Sequence, residues 1–291
     1  MKKTIIILII ILALILNVSC ALTDNQASDK IIIAVGIVPE AAFVEKVAGD
    51  LVEVVTLIPP GNSPANYQPS AKEMAKLSDA KIYFTMQMPT EEANILPKIT
   101  DFNSDIIIVN LRDKSRLVYP LVTSSDPDHE SADGVDPHLW LSPKRAIVMV
   151  QEIANQLSAL DQGNEDIYLN NAKSYIKELE NLDAQIADIT SKLENRTFLI
   201  YHGSYAYFAD DYQLTMIAIE IAGKKATAAE MQQVIDLAKS SGIKKVFYQE
   251  EFDDLQAKTV ASEINGNVVK VAPLSFDYIN SLLEFANALK E

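Results

Sequence analysis

The sequence contains a single cysteine, Cys20, so no disulfide bond can form within the chain. It is also poor in basic residues, with 25 Lys and Arg against 40 Asp and Glu. Proteins that bind a phosphate backbone carry a stripe of Lys and Arg, and no such stripe occurs here. The chain must therefore be stabilised by its core alone, which 291 residues permit. We expect a cationic or neutral ligand and no nucleic acid.

One long apolar run occurs, and it lies at the N-terminus. Two lysines follow the initial methionine, and residues 4–19 are apolar at all but three positions. This pattern is typical of a secretory signal and is short for a membrane span. It ends at Ser19-Cys20, and a cysteine after a small residue at this place resembles a bacterial lipobox. We expect residues 1–20 to be a signal segment and Cys20 to be lipidated; an incidental cysteine is the alternative.

The lipid on Cys20 would anchor an exported protein to the outer face of the cell membrane. Residues 21–30, ALTDNQASDK, are polar and lack an apolar pattern. We expect them to form a tether between the anchor and the folded part of the chain.

The rest of the chain alternates short apolar runs with segments of helical spacing. Eight short apolar runs predict strands, at 31–36, 52–59, 81–86, 105–111, 196–202, 214–220, 244–250 and 267–273. Apolar residues at helical spacing predict helices at 39–49, 69–79 and 228–242. Nearly continuous apolar strands separated by helices indicate a parallel sheet that is covered on both faces. We therefore predict an α/β fold with two lobes, each a four-stranded, mainly parallel sheet flanked by helices.

A long helix is predicted between the two sets of strands. Residues 164–194 contain neither Pro nor Gly, and their apolar residues recur at helical spacing. Such a helix would be about 45 Å long. A coiled-coil dimer is the alternative, but the heptad pattern is irregular. We expect a monomer with an N-terminal lobe at 31–163, a linking helix at 164–195 and a C-terminal lobe at 196–291.

Four loops are expected to converge between the lobes. His202 directly follows a strand, and His138 lies in the motif DPHLWLSP at 136–143. The loops GNSPANYQPS at 61–70 and VAPLSFDY at 271–278 also lie at the carboxyl ends of strands. Ligands of parallel α/β sheets bind at these ends, so we expect a ligand site between the lobes.

These motifs resemble those of the substrate-binding receptors of zinc and manganese ABC importers. The match also includes VFYQEEF and YHGSYAYFADDY followed by IAIEIAG, in the same order, from about Ile31 to the end. The resemblance implies two α/β lobes bridged by one long helix. It further implies a receptor without enzymatic activity that passes a zinc or manganese ion to an ABC permease and its ATPase.

The resemblance also implies which residues hold the ion. In that family one side chain from each of the four loops is a ligand, and His138 and His202 occupy two of these positions. Ala65 stands where the first loop usually has His, and Ala272 stands where the last loop usually has Asp. Two of the four usual ligands are therefore absent.

Four residues are candidates to replace or support the missing ligands: Asn66, Tyr67, Glu220 and Gln249. Amide oxygens are poor zinc ligands, and the family residue that Glu220 matches more often orients a ligand than touches the ion. The acidic segment at 124–136 contains His129 and resembles the His-rich loop of zinc receptors. Its composition favours a solvated loop.

Three functions stay open at this point. The first is a metal-ion receptor with an altered site. The second is a receptor of the same fold for a metal chelate or a small organic solute, in a pocket that two facing alanines would enlarge. The third is a hydrolase that uses His202 and Ser204, but neither a G-x-S-x-G motif nor a P-loop occurs.

Overall fold

The computed structural model describes residues 30–122, 134–220 and 225–290. Residues 31–291 form one compact unit. The predictions for the signal segment, Cys20, the tether and His129 concern positions outside the described residues. Within the described ranges, no helix has the length and apolar character needed to cross a membrane.

The first half of the chain forms a parallel sheet with the strand order β2-β1-β3-β4. Its strands are Ile31–Val35 (β1), Val52–Thr56 (β2), Ala80–Thr85 (β3) and Ile107–Asn110 (β4). Its helices are Val38–Ala48 (α1), Ala71–Met74 (α2), Ile99–Phe102 (α3), Leu111–Arg116 (α4) and Pro143–Leu160 (α5). Shorter 3-10 segments are Gly49–Leu51, Ala75–Asp79, Leu96–Lys98 and Leu139–Leu141, and Glu91–Ile95 is π-helical.

One long helix joins the two halves. It is Glu165–Ser191 (α6), 27 residues or about 40 Å, and a 3-10 turn at Gln162–Asn164 precedes it. It packs against α1 and α5 of the first half. The predicted linking helix is thus confirmed, with an end three residues earlier than the sequence pattern suggested.

The second half repeats the strand order of the first, as β6-β5-β7-β8, again with parallel pairs. Its strands are Thr197–Ile200 (β5), Thr215–Ala218 (β6), Lys245–Gln249 (β7) and Asn267–Val271 (β8). Its helices are Ala206–Asp211 (α7), Ala228–Ser240 (α8), Leu255–Glu263 (α9) and Tyr278–Ala288 (α10). The predicted α/β class with two four-stranded sheets is confirmed. The pairing, predicted as mainly parallel, is parallel at every neighbouring pair described.

The helix predicted over 69–79 is shorter than expected. Ser70 caps α2 by accepting a hydrogen bond from the backbone N–H of Glu73 at 3.3 Å. The chain then tightens into the 3-10 segment Ala75–Asp79. A 3-10 turn places residues three apart on one face, and both Met74 and Leu77 are buried. The segment thus keeps both apolar side chains on its buried face.

One hydrophobic core extends across both halves, and a second cluster, which includes Leu199 and Val246, lies within the second half. The cluster that contains Ile33 of the first sheet also contains Phe247 of the second. Phe43 on α1 contacts Tyr175 on α6 and, edge to face at 4.9 Å between ring centroids, Tyr278 on α10. Apolar packing thus links both sheets through the long helix.

Polar contacts also fasten the segment after residue 136 to the second half. The indole of Trp140 donates to the carbonyl of Pro273 at 2.8 Å, and the hydroxyl of Tyr278 donates to the carbonyl of Trp140 at 2.6 Å. Arg145 on α5 forms a buried salt bridge of 2.7 Å with Asp211 on α7. The two halves are therefore held together close to the predicted ligand site.

The buried Arg145–Asp211 bridge yields a stability prediction. Arg145→Met leaves the Asp211 carboxylate buried without its charged partner, which should cost about 3–5 kcal/mol of unfolding free energy. Lys192→Met removes a partner from the exposed Lys192–Asp188 pair and should cost no more than about 1 kcal/mol. Urea unfolding of both variants measures the difference. Equal losses in the two variants would contradict the assigned role of the buried bridge.

Candidate metal centre

A small cavity lies where the carboxyl ends of both sheets meet. Its lining includes one residue after each of five strands: Ala65, Met88, His202, Glu251 and Pro273. His138 completes this set from the segment before α5. The cavity is therefore in the place where parallel α/β sheets bind ligands.

His138 is held by its own loop. Asp136 Oδ1 accepts the backbone N–H of His138 at 2.8 Å and lies 3.0 Å from His138 Nδ1. The carbonyl of Asp136 in turn accepts the hydroxyl of Tyr207 at 2.8 Å. The imidazole is 6% exposed. These contacts fix the ring so that Nε2, and not Nδ1, faces the cavity.

His202 is held by two residues of the second half. Its Nδ1 lies 2.7 Å from Glu220 Oε2 at the end of β6. The side-chain amide of Gln249 accepts the backbone N–H of His202 at 3.2 Å and donates to its carbonyl at 2.6 Å. Gln249 therefore fixes the backbone of His202, while Glu220 fixes the ring.

The two imidazoles face each other across the cavity. Their Nε2 atoms are 3.3 Å apart, and the ring planes are inclined at 72°. In a neutral ring whose Nδ1–H donates to a carboxylate, Nε2 carries a lone pair. Two lone pairs at this distance repel each other unless a proton or another cation lies between them. The contact of each Nδ1 with a carboxylate is also typical of metal-binding histidines.

The two alanine positions differ in their surroundings. Ala65 lines the cavity. Ala272 does not, although its neighbours Pro273 and Leu274 do, and its carbonyl accepts the hydroxyl of Ser281 at 2.6 Å. The expectation that two facing alanines enlarge the pocket is therefore wrong, because only one of them reaches it.

The four candidate substitutes separate into two groups. Glu220 and Gln249 contact His202, as described above, and the amide of Gln249 is already hydrogen-bonded on both sides. Asn66 is exposed and outside the cavity lining. Tyr67 donates its hydroxyl to Glu73 at 2.7 Å and does not line the cavity either. Neither Asn66 nor Tyr67 is brought to the histidines.

Ser204 lacks the contact that a hydrolase would need. Its hydroxyl accepts from Gln249 Nε2 at 3.0 Å. The two ring nitrogens of His202 instead face Glu220 and His138. The backbone N–H of Ser204 donates to the carbonyl of His202 at 2.8 Å, but in the described residues the Ser204 hydroxyl does not pair with the His202 ring as a nucleophile would with its base.

Glu251 is a site residue that the sequence interpretation missed. It follows β7, is half-buried and, among the described residues, is the one carboxylate that lines the cavity. Burial, assisted by the negative charge of Glu250, raises its pKa to about 7. The two adjacent acids in QEEF were the available signal, but the sequence does not show which one faces inward.

The described part of the chain contains no group of three His, Cys, Asp or Glu side chains placed to share a metal ion. The site geometry therefore rests on the pair of imidazoles. The two parallel sheets have the same strand order, one helix links them, and a small cavity lies at the carboxyl ends of their strands. These features define an α/β binding protein that captures a small ligand.

The family follows from comparison with known proteins. The sequence model of the family described as "ZnuA: Zinc-uptake complex component A periplasmic" matches residues 33–291. The chain belongs to this family. A crystal structure of ZnuA has a TM-score of 0.82 and 32% sequence identity, and the match covers 90% of this chain and 98% of that one.

Two curated relatives have names that refer to metal ions. The zinc-binding lipoprotein AdcA of Streptococcus pneumoniae is 31% identical over 284 residues, which cover 94% of this chain and 56% of AdcA. The chain thus spans little more than half the length of AdcA. The manganese-binding lipoprotein MntA of Halalkalibacterium halodurans is 26% identical over 272 residues, which cover 90% of this chain and 86% of MntA.

Two buried carboxyl groups support the wall of the cavity at Met88. Glu91 accepts the backbone N–H groups of Met86 and Met88 at 3.2 and 2.8 Å. Glu40 accepts the backbone N–H of Gly36 at 2.9 Å. A Cβ atom on Gly36 would clash with Glu91 Oε1 and would lie 3.1 Å from Glu40 Oε2, so the two carboxyl groups converge over this glycine. Burial raises the pKa of both groups, and the charge of Glu91 raises that of Glu40 further.

This pair predicts a pH dependence. In the folded chain the pKa values of Glu40 and Glu91 lie above the unfolded value of about 4.5. The stability that the protonated carboxyl groups contribute is therefore fully present below pH 4.5, and it is lost as the pH rises through the folded-state pKa values. Glu40→Gln imitates the protonated acid. Its unfolding free energy, relative to that of the parent chain, should increase with pH by up to about 1.4 kcal/mol per unit above pH 4.5.

Urea unfolding between pH 5 and 8 measures this slope. Glu45→Gln on the exposed face of α1 controls for the loss of one charge. If the difference in unfolding free energy between Glu40→Gln and the parent chain stayed constant across this range, the pKa of Glu40 would not be raised in the folded chain.

Proposed function

We propose that this chain is the extracytoplasmic receptor of an ABC importer and binds a zinc or manganese ion through His138 and His202. The site lacks the usual ligands at positions 65 and 272, where both residues are alanine. The protein captures and delivers the ion and is not an enzyme. One observation carries the proposal: two imidazole Nε2 atoms 3.3 Å apart, each ring backed by a carboxylate at Nδ1.

The separation of the two nitrogens supports an ion bound between them. Two nitrogens at about 2.0–2.1 Å from a tetrahedral zinc ion lie about 3.3–3.4 Å apart. The observed 3.3 Å agrees with that geometry without any movement of the rings. The carboxylates of Asp136 and Glu220 also add negative charge close to the position of the ion.

The size of the cavity favours an ion over a larger ligand. The centre of a water-sized sphere can occupy about 20 Å³ of it. About 10–15 Å³ of such volume holds one water molecule, whereas pockets for organic ligands measure about 300–1,000 Å³. A metal chelate or an organic solute would require the cavity to open widely. We therefore prefer the free ion to the chelate as the ligand.

The donor types favour zinc over manganese. Imidazole nitrogen suits zinc, whereas manganese prefers carboxylate, carbonyl and water oxygens. The two donor atoms that His138 and His202 present to the cavity are imidazole nitrogens. We propose zinc as the preferred ion, with water in at least one of the remaining positions.

The proposed partners are an ABC permease and its ATPase, which receive the ion from a monomeric receptor. The description of the family as a component of a zinc-uptake complex supports this assignment. We further propose that Cys20 carries a lipid that anchors the protein to the outer face of the cell membrane. The names of AdcA and MntA as lipoproteins support the anchor.

Thermal melting of the full metal-stripped chain tests the proposed function. Zinc at about 100 times its dissociation constant should add about 2.7 kcal/mol of stability, or roughly 5–10 °C in melting temperature. His138→Ala and His202→Ala should abolish the shift. His129→Ala is the control, because it removes the one other histidine of the chain. The absence of a shift with both zinc and manganese in the parent chain would overturn the proposal.

Ala65→His provides a gain-of-function prediction. Because Ala65 lines the cavity, a histidine there would add a third imidazole to the site. We expect zinc to bind at least about tenfold more tightly, a gain of about 1.4 kcal/mol. Titration calorimetry measures the change, and Ala65→Asn is the control for added side-chain volume. An unchanged affinity in Ala65→His would show that position 65 no longer faces the ion.

A further inference from the structure

Glu251 follows strand β7, beside the switch point of the second sheet, where α/β sheets bind their ligands. The strand order β6-β5-β7-β8 reverses between β5 and β7, because the chain moves outward from β5 to β6 and returns to the other side of β5. Open α/β sheets bind their ligands in the crevice at such a switch point. His202 follows β5 and Glu251 follows β7, so the two residues flank that crevice.

The turn that carries Glu251 is fixed against His202. The backbone N–H of Phe252 donates to the carbonyl of Gln249 at 3.2 Å and closes a turn with Glu250 and Glu251 at its centre. The ring of Phe252 packs on the imidazole of His202, with 5.0 Å between ring centroids. The backbone beside Glu251 is thus held near the cavity.

The two glutamates of the turn have different environments. Glu250 forms a salt bridge of 2.8 Å with Lys270 on β8. Glu251 lines the cavity, and no basic side chain forms a salt bridge with it in the described part of the chain. A carboxylate that is partly removed from water needs a cation or hydrogen-bond donors to offset the lost hydration. The cavity beside it is the place where a cation would supply that partner.

We propose that Glu251 is a third ligand of the captured ion and replaces the carboxylate missing at position 272. This inference rests on the proposed function. The register of β7 and β8 pairs Gln249 with Val271, so the loops that carry Glu251 and Ala272 leave the sheet side by side. A carboxylate can therefore approach the same ion from the neighbouring loop.

The Glu251 side chain turns toward the histidines when the ion binds. In the conformation described, the carboxylate and the two imidazoles do not yet form a three-ligand group. Glutamate has three rotatable side-chain bonds, and the entropy lost by ordering them is small beside the energy of a metal–ligand bond. Two imidazoles and one carboxylate then hold the ion and leave one position open, as in zinc sites with three protein ligands.

Glu251→Gln tests the inference in the full chain. The change keeps the shape of the side chain and removes its charge, and we expect zinc affinity to fall at least about tenfold by titration calorimetry. Glu250→Gln is the matched control, because it removes the same charge from the adjacent residue, and it should change the affinity less than about threefold. The metal-free melting temperature of each variant verifies that it folds.

Two further measurements separate ligation from general electrostatics. Adding Ala272→Asp to Glu251→Gln should restore the affinity, because the aspartate side chain extends beyond the alanine methyl, which does not reach the cavity, and Pro273 next to it lines the cavity. The visible absorption of bound Co²⁺, which is intense at four-coordinate centres, should change in Glu251→Gln and not in Glu250→Gln.

The outcomes distinguish this inference from the proposed function. Zinc binding that is equally tight in the parent chain and in Glu251→Gln would overturn the role of Glu251 and leave the receptor function intact. Equal weakening in Glu250→Gln and Glu251→Gln would also overturn it, because charge alone would then explain the loss. Absence of zinc binding in the parent chain would instead refute the proposed function itself.

Discussion

The interaction on which the site depends is the approach of two imidazole nitrogens whose rings cannot turn away. Asp136 and Glu220 occupy the Nδ1 sides of His138 and His202, so both Nε2 atoms face the same small volume. Neutral rings in this position repel each other, and a cation removes the repulsion. On the proposed function a bound ion would remove this repulsion, and the hydrogen bonds to both rings keep them in place.

The rest of the structure keeps this arrangement in place across the two halves. Trp140 and Tyr278 exchange hydrogen bonds with the opposite half, and a shared apolar core continues behind them. Because Trp140 lies two residues from His138, the contacts that join the halves also hold the segment that carries this histidine. The site is thus largely preorganised, which reduces the ordering cost that binding would otherwise incur.

The strands and helices could be predicted from the sequence because they depend on the periodicity of apolar residues. The residues that face the cavity could not all be predicted, because they depend on the direction of side chains in loops. Short apolar runs predicted the eight strands that the structure describes, and a long segment without Pro or Gly predicted α6. The convergence of His138 and His202 followed from their loops. The positions of Ala272, Asn66 and Tyr67 relative to the cavity did not, because a loop has no fixed repeat. Glu251 was missed for the same reason: adjacent turn residues face different ways, and only the packing of Phe252 decides which one faces inward.

The burial of the two histidines has a consequence for timing. Each exposes only 6% of its surface, and the cavity between them has room for about one water molecule. On the proposed function, an ion enclosed there would leave only when this cover opens, so its dwell time would depend on a movement of the protein as well as on bond strength. The Trp140 and Tyr278 contacts, which join the halves beside the cavity, are the ones that such a movement would have to break.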